Sequence, residues 1–336
     1  MTTTRGGWYG PAGTTKDDLL TGIPMRRILT AALAALALLS FPQQSSASGL
    51  TGIDGPSEDA TLPPPVRETI WTFDTQARSQ PIGLMFSNRF VSRHTYEGDG
   101  GVLYSGTYRQ VGIDANLSPA FLELGPSLEW KPINLFVYSV GYNALYFWGI
   151  LDYPLSFDSR RSPYGDNVID ARDADDDDTN DEGTGLAHRL YLAQTAQLQV
   201  GKIIVQNKLT GFLHFFPGFD GPYVRERMYD RLLDTDGDLM VVNLAAVLYE
   251  AWDGPGDARL LVGGFHEFVW SQQQRANRHR AGMVLAAFPK HRVGNLRRFR
   301  VYLQTGVNVE DPNREGAIFA QGGFGFDMPF GAGGDE

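Results

Sequence analysis

The chain has 336 residues, no cysteine and a formal net charge of −10. The negative charge argues against nucleic acid as a partner, and without cysteine no disulfide bond can hold the fold together. The mean hydropathy of −0.24 excludes a helical membrane protein with many spans. Aromatic residues make up 12% and there are 39 glycines. Aromatic residues suit pleated surfaces and glycine marks turns, so this composition favours an all-β protein.

A short apolar run near the N-terminus has the organisation of a signal peptide. Met25 and two arginines precede the apolar residues 28–41, and a small, polar stretch follows. The run is too short for a comfortable transmembrane helix, and no cysteine follows it, which excludes a lipoprotein. We predict a signal peptide over 25–47, cleaved after Ala47, with a buried helix or membrane anchor as the alternative. Residues 1–24 are then an upstream extension, with Met25 as the true start.

Residues 48–65 are predicted to be a flexible linker that ends in three prolines. From 66 to 330, segments of ten or more residues alternate in polarity with a period of two, which is typical of transmembrane strands. In the last segment, one face carries Ile318, Ala320, Gly322, Phe324, Phe326, Met328 and Phe330. The pattern predicts twelve strands, over 67–77, 82–95, 102–115, 120–131, 133–149, 187–199, 202–215, 239–252, 258–270, 279–289, 297–309 and 317–330.

Three features favour a closed, antiparallel transmembrane β-barrel over a soluble sandwich. The segments are longer than the about five or six residues of ordinary strands. Aromatic residues such as Trp148, Trp252 and Phe330 end the apolar faces, as interfacial girdles do. The connections after the fifth, seventh and ninth strands are long and those after the fourth, sixth and eighth are tight. This asymmetry predicts extracellular loops near 150–186 and 216–238, with both termini and the 331–336 tail in the periplasm.

The stretch from Ile318 to Phe330 resembles the C-terminal signature of bacterial outer-membrane proteins, an amphipathic last strand that ends in an aromatic residue. It departs from the usual pattern because Pro329 precedes the phenylalanine and six residues follow it. The resemblance implies that the barrel-insertion machinery and outer-membrane lipid are partners. The chain as a whole resembles the outer-membrane barrel class in architecture.

Polar residues on the predicted inner faces are the candidate contacts for a solute. They are Lys202, Gln206, Lys208, Arg298, Arg300 and Tyr302. Basic side chains in a lumen attract anionic solutes. The alternative is that they pair with inward acids such as Glu123, Glu129 or Glu267, and fill the interior with salt bridges.

Two acidic groups are candidate cation sites. Asp234, Asp236 and Asp238 stand at alternate positions around a glycine, as in calcium loops, although the bidentate glutamate of such loops is missing. The segment 166–183 is dense in aspartate. Solvated acidic loops are the alternative for both, and no other cofactor is predicted.

The leading functional prediction is a passive channel or transporter for small solutes. The alternative is a non-conducting barrel with a structural or surface-binding role. An outer-membrane hydrolase is the third reading, with Ser92 and His94 two residues apart on one strand. Because neither has a convincing catalytic partner, we expect that the protein is not an enzyme.

Overall fold

The computed structural model describes residues 67–79, 82–96, 104, 106–150, 154–165, 168, 184–226, 228–254, 258–274, 277–289, 292–293 and 296–330. The predicted extension, signal peptide, linker and tail, and nearly all of the 166–183 segment, lie outside these residues and stay predictions. Within the described ranges, no helix is both long and apolar enough to cross a membrane.

The described chain consists mainly of β-strands. Their bounds are β1 Arg67–Ser79, β2 Ile82–Thr95, β3 Tyr108–Leu117, β4 Phe121–Ile133, β5 Phe136–Trp148, β6 Ser156–Phe157, β7 Thr184–Val200, β8 Ile203–Phe215, β9 Tyr223–Glu226, β10 Arg231–Asp234, β11 Asp238–Asp253, β12 Arg259–Ser271, β13 Asn277–Phe288, β14 Arg292–Val293, β15 Leu296–Glu310 and β16 Ile318–Phe330. The twelve long strands match the twelve predicted ones. The largest difference is at β3, which begins at Tyr108 rather than at 102.

The twelve long strands form a closed antiparallel barrel. Each pairs with the next long strand along the chain, including β13 with β15 across the short β14. The first and last strands also pair, from Thr69 opposite Phe330 to Arg78 opposite Gln321. This seam removes the two edges that an open sheet would expose, and edges with unpaired N–H and C=O groups are not tolerated in lipid.

The two faces of the barrel have opposite polarity, with apolar side chains outside. On β4, Leu122, Leu124, Leu128 and Trp130 are exposed, while the intervening charged residues are buried. The same alternation leaves large apolar side chains exposed on the other long strands. An outer surface of this kind suits a hydrocarbon environment and is too extensive for a monomer in water.

The two ends of the barrel differ in their connections. Both long connections, 149–183 and 216–237, leave the same end, which we call the long-loop end. The chain enters β1 and leaves β16 at the opposite end, the terminus end. The predicted alternation of loop lengths does not extend to the first strands. Residues 80–81 and 118–120 form tight turns at the long-loop end, and the connection 96–107 at the terminus end is longer than either. The contrast in loop length therefore rests on two connections.

The pairing of β13 with β15 predicts a large difference in stability between two glycine-to-alanine substitutions. Gly282 lies opposite Gly306, and a Cβ atom at Gly282 would stand 2.1 Å from the Thr305 carbonyl oxygen. Gly282→Ala should therefore destabilise the barrel by about 1–3 kcal/mol, the usual cost of overpacking. At Gly264, on the neighbouring strand, the nearest atom to a new Cβ is 3.7 Å away, so Gly264→Ala serves as the control. Urea unfolding in detergent measures the stability of both variants. Equal urea midpoints would refute this account of the close contact between β13 and β15.

Candidate functional site: the lumen and its plug segment

Four of the six predicted solute contacts point into the barrel. Gln206, Lys208, Arg300 and Tyr302 are buried side chains on inward positions of β8 and β15. Lys202 does not join them, because β8 begins at Ile203 and Lys202 lies exposed in the turn before it. The assignment of Lys202 to the inner face is corrected accordingly.

Arg298 lies at a break in the strand pairing. The register between β15 and β16 shifts between Arg297 and Arg300, and Arg298 itself has a positive φ of 49°. Its guanidinium lies 3.5 Å from Asp327, at the terminus end of the lumen. The sequence analysis continued one phase of the alternation through 297–309. It therefore missed this bulge, where one inserted residue shifts that phase.

The inward acids are paired, as the salt-bridge alternative predicted. Glu129 accepts hydrogen bonds from Tyr108 at 2.6 Å and Arg89 at 3.0 Å. Glu123 is bound by Arg189 and Asn143, and Glu267 lies 2.5 Å from Arg278. Buried charges need such partners because their desolvation is otherwise too costly. Much of the interior is therefore a network rather than a water-lined pore.

A loop segment closes the long-loop end from within. Residues 216–237, here called the plug segment, contain β9 and β10, which pair with each other, and β9 also pairs with β6. The plug side chains Val224, Leu232 and Leu233 are 0% exposed. Val224 and Leu233 pack in a cluster with wall residues, among them Phe121, Phe147 and Ala187 from β4, β5 and β7. Leu232 packs instead with residues of the connection between β5 and β7, namely Leu155, Phe157 and Tyr164. Residues 217–222 and Asp236 are largely exposed, so the enclosed part of the plug segment is its described residues from Val224 to Leu233.

Polar contacts attach the plug segment to β1 and β13, and a ring contact reaches β8 on the side opposite β1. Arg78 of β1 donates a hydrogen bond to the Met228 carbonyl oxygen at 2.6 Å, and Arg278 of β13 donates one to the Tyr229 carbonyl oxygen at 2.7 Å. The Tyr229 ring lies 5.7 Å from the ring of Phe212 on β8. The plug segment thus reaches from one side of the barrel to the other.

Asp230 holds the turn of the plug segment. It is 0% exposed, has a φ of 55°, and lies 2.8 Å from both Arg225 and Arg314. Burial alone would raise its pKa, but the two guanidinium groups outweigh burial and hold the pKa of Asp230 below its ordinary value. The sequence signal for this element was the apolar pair Leu232 and Leu233 inside a loop, which the strand pattern passed over.

A cavity of about 50 Å³ lies between the plug segment and the wall. One water molecule needs about 10–15 Å³ of such volume, so the cavity has room for a few water molecules. Four of its lining residues are basic and one is acidic. The lining consists of Gln76, Arg78, Lys208, Thr210, Met228, Tyr229, Val242, Leu244, Glu267, Arg278, Arg280, Gln304 and Gln321.

The structure does not bring the three predicted cation ligands together. Asp234 accepts the backbone N–H of Asp236 at 3.0 Å, and Asp238 accepts that of Gln273 at 3.3 Å. No group of three or more histidine, aspartate or glutamate side chains in the described part of the chain could hold a metal ion. A calcium site at Asp234, Asp236 and Asp238 stays a prediction without structural support.

Ser92 and His94 lie on the outward face of β2, in line with the exposed Phe90. His94 contacts the Tyr96 ring at 5.4 Å, and no hydrogen bond joins it to Ser92 in the described structure. This arrangement offers no base for a serine nucleophile.

The closed pairing, the apolar outer face and the polar, charged interior identify the architecture. The chain forms a closed, twelve-stranded antiparallel β-barrel with the architecture of outer-membrane barrels. No protein-family model matches it, and no curated protein matches it in sequence.

Several solved structures are similar to the chain at low sequence identity. An outer-membrane channel from Pseudomonas putida F1 is 14% identical, over 82% of this chain and 100% of that one, with a TM-score of 0.36. The NanC porin is 7% identical, over 77% and 98%, with a TM-score of 0.36. The β domain of the Bordetella autotransporter BrkA is 8% identical, over 78% and 99%, with a TM-score of 0.38. The strand pairing and the opposite polarity of the two faces establish the architecture of this chain.

Removing the charge of Asp230 should release the plug segment. Asp230→Asn tolerates the positive φ but leaves Arg225 and Arg314 without their carboxylate, and losing one member of a buried ion pair costs about 3–5 kcal/mol. We expect trypsin to cleave the plug segment of the detergent-folded variant much faster than that of the wild type. The exposed Asp236→Asn is the control. Equal resistance of Asp230→Asn and wild type would contradict the role of this contact.

The same contact has a defined pH dependence. Because the pKa of Asp230 is lower in the folded protein than in the unfolded chain, its stabilisation is complete above the unfolded value of about 4. It is lost as the pH falls through the lower, folded pKa. Trypsin is inactive under such acid conditions, so the measurement is pepsin cleavage within 216–237. Cleavage should accelerate in strong acid for the wild type and much less for Asp230→Asn, which has already lost the contact.

Proposed function

We propose that the protein is a passive outer-membrane channel for small solutes, and that the structure corresponds to its closed state. One observation carries this proposal: the long-loop end is closed by a separate loop segment and not by the strands of the wall. That segment is attached through side-chain contacts such as Arg78 to Met228 and Arg278 to Tyr229. A closure of this kind can open without breaking the barrel.

The orientation and partners follow from the same features. The two long connections, 149–183 and 216–237, leave the same end, which supports an extracellular long-loop end and a periplasmic terminus end. The exposed apolar side chains on the outer face of the barrel support contact with outer-membrane lipid. The last strand, which ends at Phe330, supports delivery by the barrel-insertion machinery.

A specific observation favours the second candidate, a non-conducting barrel. Below the plug segment, the inner wall of β8 and β11–β13 carries a buried apolar cluster that includes Leu248, Leu261 and Phe265. Together with the ion pair of Glu129 and Arg89, this cluster narrows the lumen below the plug segment. If these residues alone seal the barrel, then the plug segment is a structural reinforcement and not a gate. No enzyme activity is proposed.

Single-channel recording in planar bilayers separates the two candidates. We expect the wild type to conduct weakly, because the plug segment occupies its mouth, and a variant with 223–234 replaced by a short glycine–serine linker to conduct several-fold more. Asp236→Asn, which retains the plug segment, is the control and should resemble the wild type. An absence of conductance in both the wild type and the deletion variant would refute the channel and support the non-conducting barrel.

A further inference from the structure

We infer that the outer face of β8, β11, β12 and β13 is the contact surface for a second copy of this chain within the membrane. Four polar side chains on these neighbouring strands point outward, away from the lumen. Here called the polar patch, they are Asn207, Asn243, His266 and His279. The inference concerns the wall of the barrel and does not depend on whether the lumen conducts.

The alternation along each strand places the polar patch on the outside. Each of its four residues has at least one sequence neighbour that is buried in the lumen. Because successive side chains of a strand point to opposite faces, the patch residues themselves face away from the lumen. The buried neighbours are Gln206, Lys208, Val242, Leu244, Phe265, Arg278 and Arg280.

The polar patch extends to the middle of the membrane-spanning wall. At about 3.3 Å per residue, His266 lies roughly 13 Å along β12 from Trp270 and roughly 20 Å from Leu260. Ala245 lies opposite both Asn207 and His266, so these residues share one row across three strands. The apolar belt of an outer-membrane barrel is about 25 Å tall, which places this row well below the headgroups.

The two asparagines keep hydrogen-bonding capacity beyond their mutual contact. Each donates an amide N–H to the carbonyl oxygen of the other, at 3.2 Å from Asn207 and 3.1 Å from Asn243. Asn243 also donates to the Lys208 carbonyl oxygen at 3.5 Å. An amide has two N–H donors and two acceptor lone pairs. Within the described structure, the second N–H of Asn207 and one lone pair of each carbonyl oxygen are therefore left for a further partner.

The two histidines are in the same situation. A hydrogen bond of 3.1 Å joins Nε2 of His266 to Nδ1 of His279, and Nε2 of His279 lies 3.7 Å from Glu310. The side chain of His266 is exposed, and its Nδ1 has no hydrogen-bond partner among the residues that the structure describes. Hydrocarbon offers no such partner, so polar groups of this kind are costly against lipid.

The opposite side of the barrel shows a different outer face. β3 and β4 lie half-way round the order of the twelve long strands from β12 and β13. Along the middle of these two strands the exposed outward side chains are Val111, Ile113, Leu124 and Leu128. That surface suits lipid, whereas the polar patch suits contact with protein.

The polar patch is complementary to itself, which favours a second copy as the occupant. In a two-fold symmetric pair each surface meets its own copy, so it must supply donors and acceptors together, as these amides and imidazoles do. Two copies in the same orientation present the patch at the same depth, which a water-soluble partner cannot reach. Ala245 and Ala281 both lie opposite His266 on the flanking strands, and such small residues let two walls approach closely.

Energy transfer between labelled copies tests the pairing. The chain has no cysteine, so Asp236→Cys, at an exposed position of the long-loop end, carries a single donor or acceptor dye. Both labelled forms are reconstituted together, as the full purified protein, in phosphatidylcholine vesicles. We expect energy transfer that persists when the protein is diluted tenfold with lipid. Transfer that falls on dilution to the level of random encounters would overturn the proposal, because the protein would then be monomeric.

Two matched asparagine variants locate the contact. Asn243→Leu removes a polar group of the patch, and Asn88→Leu is the control, since Asn88 is an outward asparagine of β2 that accepts a hydrogen bond from Trp71. We expect the dissociation constant of the pair to rise at least tenfold in Asn243→Leu and to stay unchanged in Asn88→Leu. If the patch faced lipid, leucine would suit it better and energy transfer would not fall. Equal transfer in the two variants would overturn the role of the patch.

A bulky substitution tests the close approach independently of hydrogen bonding. Ala245→Trp places a large ring at the centre of the polar patch, and Ala115→Trp places the same ring on an outward position of β3. Energy transfer should be lost in Ala245→Trp and kept in Ala115→Trp. Heat-modifiable gel mobility shows that each variant is folded. A folded Ala245→Trp that pairs as the wild type does would contradict the assigned surface.

Discussion

A backbone that crosses lipid as strands must leave no N–H or C=O group without a partner, and this constraint governs the rest of the molecule. The pairing of β1 with β16 satisfies it by closing the sheet. Once the sheet is closed, the period of two assigns every strand one face to lipid and one to the interior. The apolar residues must take the outer face, so the charged residues are confined to the lumen.

Confinement of charge in a narrow lumen has its own cost. In low-dielectric surroundings each ionised group needs a partner. Adjacent or next-but-one strands provide one for Glu123, Glu129, Asp74 and Glu267. The pair of Asp74 and Arg300 joins strands near the two ends of the described chain. These ion pairs also take up much of the space that a wide pore would need, so the interior both supports the barrel and restricts passage through it.

At the long-loop end, the side chains of the wall do not fill the lumen. The plug segment occupies the remaining space there. Its apolar side chains meet wall residues of β4, β5 and β7, and its carbonyl oxygens accept hydrogen bonds from Arg78 and Arg278. The positive groups that hold it also line the cavity below. Closure of the mouth and the electrostatic character of the lumen therefore depend on the same arginines.

The sequence predicted the barrel, its twelve strands and the pairing of inward acids, because period-two alternation and charge on one face are local properties. It did not predict the plug segment. The burial of Leu232 and the ion pair between Asp230 and Arg314 arise from contacts between distant parts of the chain. Their one local sign in the sequence was the apolar pair Leu232 and Leu233 within a loop. The polarity pattern also could not predict where strands begin and end, since Lys202 lies outside β8. Nor did it predict the bulge at Arg298.

The chain has no cysteine, so single introduced thiols report directly on whether the plug segment lies inside the barrel. Leu233→Cys in the folded protein should react with a water-soluble maleimide much more slowly than Asp236→Cys, because Leu233 is buried against the wall and Asp236 is exposed. Both should react equally fast after unfolding in urea. Equal rates in the folded protein would contradict an inserted plug segment.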